Sequence, residues 1–289
     1  MSSHIFEYKR ELLITDRLAI GALCLAGSIL ILFSGFSAKY IFFGVINLSA
    51  SVLIWHIATG VLKSRFLTTL RYLYPAFLVG LFYYEAEMFV HLVYEEGFLF
   101  DGLVLSWDYW LFGTHMHLHF HSSFPHPIIA ETLHFLYSTY FFILFGSLFW
   151  IWKNRPEDFP RFSFVYLATF LSHLLFFIFF PVDGPLDYRE ELFEGFTLFP
   201  AFIDFLLEMG EPETGAFPSS HVGQSVAIYL LLRPMSAGMR TTFFICISGI
   251  AVSMVYGSIH YAIDPVAGFI SGFLFYFIWN TFYLTLKSR

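Results

Sequence analysis

The run from Leu18 to Phe36 contains no charged residue, and about 18 or more apolar residues in a row suffice to cross a bilayer as a helix. Seven further stretches of the chain share this character, and no soluble fold can bury so many. The chain is 57% hydrophobic and 13% charged, against about 45–50% and about 25% for a soluble domain. Its mean hydropathy is +0.68. The sequence therefore predicts an all-α polytopic membrane protein.

The expected spans are Leu18–Phe36, Tyr40–Leu62, Tyr72–Tyr94, Pro127–Trp152, Phe162–Phe180, Pro218–Leu232, Thr241–Ile259 and Pro265–Leu286, eight in all. The sixth is short, so its start is expected below the membrane surface. No linker divides the chain, which reads as one integral-membrane domain over residues 1–289. Residues 127–286 form its catalytic core and residues 18–94 are additional N-terminal spans. Met1–Asp16 is polar and mixed in charge, and the first span after it lacks a small-residue cleavage pattern, so that span reads as a retained anchor rather than a removed signal. Cys24 and Cys246 both fall inside spans, which indicates no disulfide.

Lys and Arg mark the cytoplasmic loops. Thirteen of the 15 fall on one side, and only Lys39 and Arg189 remain for the other. Both termini are thus expected in the cytoplasm, with the long loops Glu95–His126 and Pro181–Phe217 outside it. The second loop carries an amphipathic stretch, Phe199–Met209, suited to the interface. A formal net charge of −7 argues against a nucleic-acid partner.

The most informative segment is Phe217-Pro218-Ser219-Ser220-His221, followed by two apolar segments and then Ser258-Ile259-His260-Tyr261-Ala262-Ile263-Asp264. The histidines stand 39 residues apart, at opposite ends of a membrane-length hairpin and on the extracytoplasmic side. Ser219 and Ser220 suit a helix cap, and a helix N-terminus draws an anion to its free N–H groups. His221 beside that cradle suits protonation of a leaving oxygen. Asp264-Pro265 reads as a cap and first helical residue. Its carboxylate can fix the tautomer of His260 and leave one ring nitrogen free to attack. Taken singly, a Pro-Ser-x-His or a His with Asp four residues on is as well explained by a cap or a local hydrogen bond. Their pairing on one membrane face points to phosphoryl transfer.

Phe217–Gly223 and Tyr256–Gly268 together resemble the type 2 phosphatidic acid phosphatase superfamily of membrane phosphatases and head-group transferases. The resemblance implies a nucleophilic His260 that becomes phosphorylated, His221 as acid, Asp264 as the orienting carboxylate, and no metal or organic cofactor. A lipid phosphate or phospholipid would be the substrate, with a lipid or polyol alcohol as possible acceptor. The pattern departs from the phosphatases in two places. Ser253-Met254 stands where they carry Ser-Arg, and Phe180-Pro181-Val182-Asp183-Gly184-Pro185, then Arg189, replaces their upstream Lys…Arg-Pro motif. These features, with Asp108–Gly113, look closer to the inositol phosphorylceramide synthase branch. Arg189 is the one arginine on that face, and a phosphoryl group needs cationic stabilisation. It is therefore expected to bind substrate, along with Ser219 and Ser220. A lipid phosphate phosphatase is the alternative.

Other ionisable groups are weighed as interhelical hydrogen bonds or as accessory site residues. These are Glu85, Glu87, His91, Glu131, His134 and His173; His56 reads as structural. The alternating His115, His117, His119 and His121 read as a strand or extended loop, solvated or pH-sensitive rather than metal-binding. Two other classes compete. A di-iron desaturase needs adjacent histidine pairs, which this chain lacks. A transporter would keep its flux after His260→Ala.

Overall fold

The computed structural model describes residues 11–61, 65–193, 198–210, 214–233 and 235–288. Lys9, Arg10, Lys63, Glu194, Glu211, Glu213 and Arg289, which entered the sequence reading, lie outside them. In chain order the helices are α1 (Ile14–Leu32), α2 (Ala38–Thr59), α3 (Arg65–Val93), α4 (Asp101–Phe112), α5 (Met116–Ser123) and α6 (Pro127–Asn154). There follow α7 (Phe159–Phe179), α8 (Arg189–Phe193), α9 (Phe199–Gly210), α10 (Ser220–Leu231), α11 (Ala237–Tyr256) and α12 (Ile263–Lys287). The described residues form no named strand; Val182 and Gly215 make an isolated bridge.

Among the described residues, seven helices are long and apolar enough to cross a membrane: α1, α2, α3, α6, α7, α11 and α12. The expected sixth span, Pro218–Leu232, is helical only as α10, 12 residues or about 18 Å long. A bilayer core is about 30 Å thick. Most of α10 is buried, because α6, α7, α11 and α12 all pack on it. A helix apolar on every side and enclosed by others need not match the bilayer. The Glu95–His126 loop holds two helices, α4 and α5, and the amphipathic stretch forms α9 against α6.

Close contact between α10 and α12 depends on glycine. A Cβ at Gly272 would stand 2.5 Å from the Gly223 carbonyl oxygen, and one at Gly268 would collide with the Ser219 carbonyl. Gly268-x-x-x-Gly272 is thus a small-residue stripe of the kind that lets membrane helices meet backbone to backbone. The additional N-terminal helices form a second cluster, with Ala19, Leu23, Leu30 and Phe82 packed against Leu167 and Phe170 of α7. Asp16 ties α1 to α3 through Arg71 (2.5 Å) and Tyr74 (2.9 Å).

Gly272→Ala should lower the thermal midpoint of the purified protein, since overpacking costs about 1–3 kcal/mol. Gly21→Ala, where nothing lies within 4 Å, should leave it unchanged or raise it slightly. Equal midpoints for the two variants in a thermal-shift assay would contradict the close-packed stripe.

Candidate active site

After α11 the chain winds back on itself. The N–H groups of Ile259 and His260 both donate to the Met254 carbonyl, at 2.9 and 3.2 Å. Ser258 turns the chain with a positive φ of 51°, and its hydroxyl donates to the His117 carbonyl at 3.4 Å. The Asp264 carboxylate then folds back to receive two groups on Oδ2, the Tyr261 N–H at 3.0 Å and the His260 Nδ1 at 3.1 Å. A carboxylate acceptor places the imidazole proton on Nδ1 and leaves the lone pair on Nε2. His260 is 1% exposed, and its Nε2 meets no hydrogen-bond partner among the described residues.

His221 arrives from α10. The Ser219 N–H, one residue before that helix, donates to the Asp264 carbonyl at 3.1 Å. This bond joins the two motifs and sets the start of α10 beside the His260 turn. The His221 ring sits among three tyrosines, with centroids 6.2 Å from Tyr83, 5.6 Å from Tyr137 and 4.6 Å from Tyr140. His221 thus begins the helix whose start is bonded to Asp264, and Asp264 is in turn bonded to His260.

A family model described as the PAP2 superfamily matches residues 103–278, a segment that contains both motifs, α10, α11 and most of α12. The chain belongs to the PAP2 superfamily. Its members are, in general, phosphatases and phosphotransferases, which makes this an integral multi-pass membrane protein of lipid phosphoryl transfer. No curated protein and no solved structure matches the chain.

Two local expectations are corrected within this PAP2 core. Ser219 does not cap α10 with its side chain; its hydroxyl lies against the Met254 sulfur at 3.4 Å. The first-turn N–H groups of α10 are thus left without a capping side chain, with Ser220 buried at the helix start. Nor does Asp264 cap α12. The helix begins at Ile263, because the Asp264 carboxylate is committed to the His260 turn. Asp108 of α4 takes the capping role instead, accepting the Ile263 N–H at 2.8 Å. Burial raises the Asp108 carboxyl above the usual range, against the lowering effect of that N–H.

Arg189 stands 4% exposed beside the same turn. Its guanidinium donates to Gly257 O (2.7 Å), Asp204 Oδ1 (2.6 Å), Pro200 O (3.3 Å) and His134 Nε2 (2.9 Å). It lies over the Phe193 ring at 5.0 Å. Because His134 Nδ1 donates to Ala130 O at 2.7 Å, its Nε2 is the acceptor for arginine. Arg189 thus reaches the residue three before His260 while its N–H groups are taken up by protein acceptors.

The remaining ionisable groups divide by partner. Glu85 is buried against Asn47, at 2.9 and 3.0 Å. Glu131 accepts the Leu198 and Phe199 N–H groups and so caps α9. His173 bridges Thr169 O and Ser271 Oγ. Glu87 is half-buried and His91 exposed.

Composition offered no signal for Asp101, whose carboxylate clamps the 181–185 loop onto the site. It accepts the N–H groups of Asp183 (3.0 Å) and Gly184 (2.9 Å) and the Tyr261 hydroxyl (3.1 Å). Gly184 holds a φ of 93°, and a Cβ there would stand 2.6 Å from the Ile259 carbonyl. The histidine series is not a strand. As α5 it turns His117 and His121 inward and His119 outward. His117 packs between Tyr188 and Tyr261, each 5.5 Å away, and His121 packs on Phe193 and Tyr256. Among the described residues no group of three His, Cys, Asp or Glu side chains could hold a metal ion.

Burial, then the neighbouring His115, lowers the His117 pKa from 6.5 to about 4. A lowered pKa favours the neutral ring in the fold, so its contribution is full above 6.5 and is lost as pH falls toward 4. The thermal midpoint should therefore fall through that window, with a shallower slope in His117→Gln. Parallel slopes from a pH series of melting curves would contradict the buried neutral imidazole.

Proposed function

We propose that this chain transfers the phosphoryl group of a lipid phosphate or phospholipid through a phosphohistidine at His260. The observation that supports it most directly is the buried, unpartnered Nε2 of His260, oriented by Asp264 and lying near His221. The Nε2 lone pair attacks phosphorus and the bond to the leaving oxygen breaks. Protonated His221 gives its proton to that oxygen, and the imidazolium of His260 is stabilised by Asp264. In the second half the neutral His221 takes a proton from water or an alcohol, which attacks phosphorus and releases His260.

The first-turn N–H groups of α10 at Ser220 and His221, with the positive end of that helix, suit the phosphoryl oxygens. Ser219 holds this cradle against Asp264. Arg189 is the cation of the site, and it acts by fixing the Gly257 carbonyl and the turn behind it. No residue in this scheme requires a metal. Head-group transfer to an alcohol, as in inositol phosphorylceramide synthases, is favoured over hydrolysis. Ser253-Met254 stands in place of the phosphatase Ser-Arg, and a nucleophile 1% exposed gives water little access.

The site lies at the start of α10, the end of α11 and the start of α12. The opposite ends of α10, α11 and α12 carry Arg233, Arg240 and Lys287, with Arg155 of the α6–α7 junction beside them. Arg155 donates to Leu231 O and Arg233 O at 3.2 Å, so α10, though short, still runs from the site to the basic end. This arrangement supports an extracytoplasmic site with both termini cytoplasmic.

Purified protein offered lipid phosphates and phospholipids, with and without diacylglycerol or ceramide, should make a new head-group lipid only when acceptor is present. Phosphorus NMR would read it; inorganic phosphate without acceptor would instead establish a phosphatase. His260→Ala should abolish turnover. His221→Ala should reduce it by about 10²–10⁴, and Asp264→Asn should cost less than loss of His260. Wild-type turnover in either histidine variant would remove the mechanism.

A further inference from the structure

Helices α11 and α12 lie apart although they are neighbours in the chain, and α10 packs on both. The wedge between them is a groove of about 680 Å³ with apolar walls. Val252, Val266, Phe269 and Ile270 on its rim are exposed, so the groove opens sideways toward the membrane. Its two ends differ. At the site end Phe112 of α4 with Met116 and Phe120 of α5 form an apolar roof, and at the other end stands Arg233, the one charged residue among its lining. From Val222 to Arg233 the floor is about 16 Å long, close to one leaflet of a hydrocarbon core of about 30 Å.

We propose that this groove binds one acyl chain of an anionic phospholipid from the leaflet at the basic end of the bundle, with the lipid phosphate on Arg233. The roof excludes a head group from the site end, which sets the orientation. Arg233 is exposed, stacks 4.8 Å above the Tyr229 ring and donates Nη2 to the Tyr229 hydroxyl at 2.9 Å. Tyr229 thereby holds the guanidinium at the mouth. Arg155, bonded to the Arg233 carbonyl, adds a second cation nearby. The bound chain fills the space between α11 and α12, the helices on either side of the His260 turn. The lipid is therefore a structural ligand on the face of α10 formed by Val222, Val226 and Tyr229.

The test is native mass spectrometry of the full-length protein in detergent, titrated with dioleoyl phosphatidylglycerol or dioleoyl phosphatidylcholine. Binding is read without turnover, so the result stands whatever reaction the site performs. The wild type should retain phosphatidylglycerol about fivefold more tightly, the effect of one basic residue at a membrane surface. Arg233→Gln should erase that preference, and Ala251→Trp should lower retention of both lipids. Should Ala251→Trp fail to fold, Val266→Trp on the exposed rim fills the same groove. Unchanged retention in the charge and groove variants would overturn the proposal. So would a groove variant that alters only the chain-length preference of turnover, which would give the groove to the substrate.

Discussion

One backbone hydrogen bond, from the Ser219 N–H to the Asp264 carbonyl at 3.1 Å, holds the chemistry of this protein together. It sets the start of α10 against the start of α12, and each of those starts carries one half of the site. A single such bond is worth only about 0.5–1.5 kcal/mol net, so it cannot act alone. The Gly268 and Gly272 stripe lets the two backbones close to that distance, and the clamp from Asp101 and cap from Asp108 hold the turn from above. The second histidine would move with any rotation of α10, which is why the contact is made by backbone and glycine rather than by flexible side chains.

The polar groups buried around this point are mostly spent on geometry. Asp108 caps α12, Glu131 caps α9, and Arg189 ties Gly257 to Asp204 and His134. A group buried in apolar surroundings is costly unless paired. Some atoms are not spent in this way: His260 Nε2 and Asp264 Oδ1 meet no partner among the described residues, and neither do Asp108 Oδ2 and His117 Nδ1 nearby. Of these, His260 Nε2 is the atom that the proposed attack on phosphorus requires.

Much of this was legible in the sequence because membrane spans and the paired motifs are written in local patterns. Counting charged loops puts His221, His260 and Asp264 on one expected side, and in the structure the starts of α10 and α12 that carry His221 and Asp264 are joined by the Ser219–Asp264 bond. What failed was whatever depends on a partner distant in the chain. Asp264 looked like a cap because nothing nearby showed that Asp108, 156 positions earlier, would take that task. The alternating histidines looked like a strand because period two is a strand signal. Packing of α5 onto Tyr188, Tyr261, Phe193 and Tyr256 decides otherwise. The tyrosines around His221 come from α3 and α6, and no spacing announces them.

The short α10 links the depth of the site to the shape of the bundle. At about 18 Å it reaches from the basic end only part of the way through a core of about 30 Å. Around the His260 turn, α4, α5 and the 181–185 loop pack close, through Asp108, His117 and Asp101, and keep the local dielectric low. Electrostatic stabilisation is strongest in such a setting. The same shortness leaves α11 and α12 without a full-length partner between them, and the open wedge follows. In a bilayer, apolar space that a short helix leaves open is accessible to lipid chains, and that is the setting of the proposed acyl-chain site.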